Sequence, residues 1–145
     1  SKQSNDGKKQ QYLFPPTIDQ LLSACTVRHK PNTKSSLSVS ARALAKHAHR
    51  GEEAFFGPVK GSESQKNEHA ISVVRKLINE AAWINIHSFG GTDESRPVLE
   101  IRVAEGYGAR WSAVWRHSPF EAEDVQFRGF LEPNMTDGHE KDWRH

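Results

Sequence analysis

Arg102, Arg110 and Arg128 are the side chains in this sequence best suited to chemistry on an anion. Each lies in a stretch where polar and apolar residues alternate. Period-two alternation sends successive side chains to opposite faces of a strand. The three arginines are therefore predicted to share one polar sheet face with Glu100 and Gln126. Guanidinium groups present fixed pairs of donors, and several converging can grip a phosphate or a carboxylate. The same pattern also describes a solvated face on which Arg and Glu neutralise one another across strands.

Glu105-Gly106-Tyr107-Gly108 follows, a predicted hairpin turn with Tyr107 at its tip. Its glycines would let a ligand approach the backbone closely. The turn does not lead from a strand into a helix, so it lacks the grammar of a phosphate loop. Proton transfer could be assembled from His87, Glu105, Glu132, Asp137 and His139 if the C-terminal tail folds back over the sheet. The candidate ligand-binding set is thus Glu100, Arg102, Arg110 and Arg128, with Glu105, Tyr107, Glu132 and His139 at the rim.

Other chemistries find less support. Cys25 with His29 is the only cysteine pairing for nucleophilic catalysis, and no G-x-S-x-G elbow exists for a serine. His47 and His49 are two apart on a predicted helix and point to nearly opposite sides. His139 and His145, near Asp137 and Glu140, belong to a stretch without periodicity. There is no HExxH motif, cysteine pair or calcium loop, so neither a metal nor a cofactor is expected. Trp83, Trp111, Trp115, Phe127 and Phe130 are assigned to the core, with Phe130 falling on the same side as Arg128.

Several elements must position these groups. Thr17 is predicted to cap a short helix, IDQLLSAC, which is followed by a linker over 26–36. Leu37, Ala41, Leu44 and Ala48 mark a second helix reaching Arg50. Phe55 and Phe56, in the loop after it, are expected to plug into the core. Ser62 and Gln65 have the spacing of a capping box ahead of the stripe Ala70, Ile71, Val74, Leu77, Ile78 and Ala81. Near Ala82 the period switches to two, and strands follow around Trp83–His87, Leu99–Val103, Arg110–Trp115 and Val125–Gly129.

Helices followed by a run of strands predict an α+β fold. The expected architecture is a three- or four-stranded, mainly antiparallel sheet with two main helices packed on one face. Residues 1–16 are expected to form a disordered basic arm, 17–36 a short helix and linker, and 37–145 a single domain. Tyr12, Leu13 and Phe14 are apolar enough to dock on that domain.

Charge is uneven along the chain. The first fifty residues carry nine Lys or Arg against Asp6 and Asp19, whereas the rest carries eleven basic and sixteen acidic residues. A basic segment of this kind attracts polyanions through counterion release. One cysteine excludes an intrachain disulfide, and no apolar run is long enough to span a bilayer. An intracellular setting without membrane contact is expected.

These features predict a noncatalytic binding domain for an anionic partner. Nucleic acid leads, and an acidic protein segment comes next. The alternatives are a small enzyme acting on a phosphorylated or carboxylated metabolite, and a pure protein-interaction module. No motif determines the oligomeric state.

Overall fold

A computed structural model describes residues 12–48, 53–87 and 96–133 of the chain. Its centre is a four-stranded antiparallel meander of β1 (Ala81–His87), β2 (Val98–Val103), β3 (Gly108–Val114) and β4 (Glu123–Leu131), paired in that order. β2 alternates as its sequence demands: Leu99, Ile101 and Val103 are buried toward the helices. Ala109 and Trp111 of β3 extend the same apolar layer, and Trp111 is fully buried.

Three helices cover that layer: α1 (Ile18–Cys25), α2 (Val39–Ala48) and α4 (Glu63–Asn79). Between α2 and α4 lies the single turn α3 (Glu53–Phe56). Both long-predicted caps form. Thr17 and Gln20, and likewise Ser62 and Gln65, exchange side-chain and backbone hydrogen bonds in complete capping boxes. α4 buries Ala70, Val73, Val74 and Leu77, α2 contributes Ala41 and Leu44, and Phe56 of α3 fills the gap between them. Burial of each large apolar side chain contributes about 1.5–3 kcal/mol. The α+β architecture and its antiparallel sheet follow the expectation.

α1 puts Leu21, Ala24 and Cys25 into the common core, and the Trp111 indole donates to the Leu21 carbonyl at 3.0 Å. Residues 26–36, expected as a linker, are clamped to α4. Glu63 accepts from the Ser36 backbone N–H and the Ser35 hydroxyl, both at 2.8 Å. Ser38 starts α2 by accepting from the Ala41 N–H, so the helix begins after Leu37. Phe14 is also tied to the sheet. Phe14 bonds the Pro119 carbonyl, accepts the Trp115 indole N–H and packs edge-on against Phe120. Residues 1–11 of the expected arm lie outside the described residues.

Irregularities in the sheet change which residues meet. Ala81 and Trp83 pair with the adjacent residues Val103 and Arg102, so β1 carries one extra residue at its start. β4 carries another: Arg110 pairs with Gly129 but Trp111 with Phe127, leaving Arg128 as the bulged residue. Gly129 has φ +140, which glycine adopts without steric cost. The bulge restores Phe130 to the buried side, where it is only 6% exposed. Phe130 is therefore a core residue and not a neighbour of Arg128 on the polar face.

Candidate active site on the polar sheet face

The face turned away from the helices is ordered by register into three cross-strand rows. The first contains His87, Val98 and Ser112; the second Asn85, Glu100 and Arg110; the third Trp83, Arg102 and Gly108. Glu100 sits at the centre and is 4% exposed although the described helices pack on the other side. Among the described residues, its own partners help to cover it. Arg102 Nε donates to Glu100 Oε2 at 2.7 Å, Arg110 Nε approaches Oε1 at 3.4 Å, and His87 Nε2 approaches the same oxygen at 3.4 Å.

Burial pushes the Glu100 carboxyl up. The hydrogen bond and charge of Arg102, the charge of Arg110 and the His87 hydrogen bond outweigh that and hold it below the usual carboxylate range. Glu100 therefore serves as a fixed anion that aims two guanidinium groups and one imidazole. Both guanidinium groups keep about a quarter of their side-chain surface in solvent, at 23% and 28%. They can meet a second anion from above.

Arg102 is held from two sides, because its Nη1 also donates to the Gly106 carbonyl in the hairpin turn. Its aliphatic stem crosses Gly108 on the neighbouring strand. A Cβ at Gly108 would lie 2.9 Å from Arg102 Cγ and 2.1 Å from the Ile101 carbonyl. Glycine there is what lets the arginine lie flat. Ser112 adds a further polar group. Its hydroxyl is buried and has no hydrogen-bond partner among the described residues, a state that costs about 1–3 kcal/mol.

The predicted residues are divided by this geometry. Glu100, Arg102 and Arg110 come together. Arg128, the bulged residue of β4, is exposed and contacts Gln126 at 3.4 Å. Tyr107 turns to the helix side and stacks on Phe55, with ring centroids 4.0 Å apart. Glu105 is exposed at the turn. Glu132 lies across the sheet from the arginines, buried and hydrogen-bonded to the buried His47 on α2. His139 and Asp137 lie outside the described residues. Cys25 is 0% exposed, and burial pushes its thiol up to about 12 despite a Trp111 hydrogen bond, which removes it as a nucleophile. Its expected partner His29 instead accepts from Arg42 Nε at 3.3 Å.

His87, one of several proton carriers in the sequence, lies beside the arginines. Trp83 is not the core residue expected from the sequence: it is 46% exposed opposite Arg102. Its phase in the sequence carried the signal, since Trp83 alternates with Ile84 and Ile86 and keeps step with Asn85 and His87. Among the described residues, no group of three His, Cys, Asp or Glu is placed to hold a metal ion.

The family described as the CdiA C-terminal tRNase toxin domain matches residues 27–132, which include every residue of the three rows. The chain belongs to that family. No curated protein matches it. A crystal structure of the toxic C-terminal tip of CdiA from Pseudomonas aeruginosa, in complex with an immune protein, is 25% identical to it. The two superpose with a TM-score of 0.50 over 76% of this chain and 99% of that one. Membership of a CdiA tRNase toxin family overturns the expectation of a noncatalytic anion-binding domain. The sheet supplies the physical reason: it sets an imidazole against the carboxylate that anchors both arginines, a combination suited to moving protons as well as binding charge.

Proposed function

We propose that this domain is a toxin that cleaves tRNA at the polar face of its sheet. The observation that carries the proposal is His87 sharing buried Glu100 with Arg102 and Arg110, within the span that matches the CdiA tRNase toxins. RNA brings its own nucleophile, the 2′-hydroxyl beside each phosphate. Cleavage needs a proton removed from that hydroxyl, added negative charge stabilised on phosphorus, and a proton delivered to the departing 5′-oxygen. The bond from the 2′-oxygen to phosphorus forms as the bond to the 5′-oxygen breaks, leaving a 2′,3′-cyclic phosphate and a 5′-hydroxyl.

Arg102 and Arg110 are placed to hold the phosphate and to stabilise the charge that develops on it. His87 is the proton-transfer group, since histidine ordinarily changes charge near neutral pH. Glu100 stays ionised and holds these groups in place. The basic first fifty residues add long-range attraction for the polyanion. The Pseudomonas aeruginosa relative is bound by an immune protein, which supports an inhibitory protein partner for this domain as well. Its site of action would be inside a cell, where tRNA is found.

The test is to incubate the purified protein with total tRNA and map the fragment ends. Fragments ending in 2′,3′-cyclic phosphate are expected. His87→Ala should slow their release roughly 10²- to 10⁴-fold while melting with the wild type. Intact tRNA after prolonged incubation with the wild type would sink the proposal.

A further inference from the structure

We infer that Trp83 is a stacking platform for an unpaired nucleobase near the scissile bond. The inference rests on the nuclease activity proposed above and names how that site holds its substrate. Trp83 projects from β1 onto the polar face, is 46% exposed, and pairs across the strands with Arg102. The contrast with the neighbouring tryptophans is sharp. Trp111 is fully buried, and Trp115 donates its indole N–H to the Phe14 carbonyl.

An exposed indole forgoes most of the stabilisation that its burial would give. On an edge strand it also invites unwanted pairing, a hazard that proteins commonly reduce with lysine or other charges. Folding therefore gives no reason for a tryptophan here, and a ligand does. Aromatic side chains beside backbone-binding cations are the means by which proteins hold single-stranded nucleic acid, because every base offers a π-face. Arg102 supplies that cation in the same cross-strand row.

The spacing narrows which base is held. Trp83 and His87 are four residues apart on one strand, about 13 Å at the usual rise. The base on Trp83 therefore belongs to a neighbour of the nucleotide being cut. Because stacking requires a base drawn out of a helix, the substrate should be cut in a loop or an unpaired end.

The experiment locates the cut in total tRNA, then uses synthetic oligoribonucleotides spanning it with one abasic position moved along the strand. Wild-type protein should lose roughly 5- to 150-fold in kcat/KM at a single abasic position flanking the cut. Trp83→Ala should cut the unmodified oligonucleotide as slowly as the wild type cuts that abasic one, and should no longer distinguish the two. Trp83→Phe should restore most of the discrimination. Wild-type rates for Trp83→Ala, or an abasic penalty that survives the substitution, would overturn the stacking role while leaving the nuclease intact. Failure of the wild type to cut any RNA would overturn the nuclease itself.

Discussion

Glu100 and Arg110 face each other across β2 and β3, the carboxylate almost fully buried and the guanidinium 3.4 Å away at its rim. A buried anion on the sheet face away from the described helices is stabilised by the partners around it. With Arg102 and His87 added, four residues from three strands become one unit.

Acid should dismantle that unit. Arg102, Arg110 and His87 hold the Glu100 carboxyl below its usual range against the opposing effect of burial. A depressed folded-state pKa contributes stability that is present above the unfolded value, about 4.3, and is lost as pH falls through the folded value. Stability measured by urea should therefore decline below about pH 4. Glu100→Gln should flatten that decline and cost about 1–3 kcal/mol at neutral pH. An unchanged acid limb in the variant would show that other carboxylates set it.

The His47–Glu132 pair makes the opposite prediction. Both side chains are buried, on the helix side of the sheet, with His47 wedged between Phe56 and Phe130. Removing the imidazole takes one buried hydrogen bond from the Glu132 carboxylate. His47→Ala should cost roughly 1–3 kcal/mol in urea unfolding. Molecules that remain folded should cleave RNA at the wild-type rate. A selective loss of kcat without loss of stability would bring this pair into the active site.

Cys25 should be inert. With its thiol buried and pushed up to about 12, almost no thiolate exists at pH 8. A disulfide reagent should label the native protein only as fast as it unfolds and should leave activity intact. Rapid labelling with loss of cleavage would contradict the packing of α1 against β4.

Gly108→Ala should disturb the strand pairing and the site together. The added methyl meets the Ile101 backbone carbonyl first and the Arg102 stem next, so β2 and β3 must shift and the arginine with them. Cleavage should fall at least tenfold, with a stability loss of about 1–3 kcal/mol, seen by thermal melting. Wild-type activity in this variant would show that Arg102 need not lie flat.

Local pattern alone determined much of this molecule. The capping box at Ser62, the stripe through Leu77 and the alternation of Leu99, Ile101 and Val103 led directly to α4 and β2, because their signals lie within a few residues of each other. The same alternation placed Glu100, Arg102 and Arg110 on one face. Only tertiary structure decided the rest. One extra residue at the start of β1 and the bulges in β4 set which side chains meet across strands, returning Phe130 to the core and setting Trp83 opposite Arg102. A bulge is a property of two paired strands, so one strand's sequence does not reveal it. His87 met Glu100 for the same reason: the chain brings them together only after β1 and β2 have paired in register.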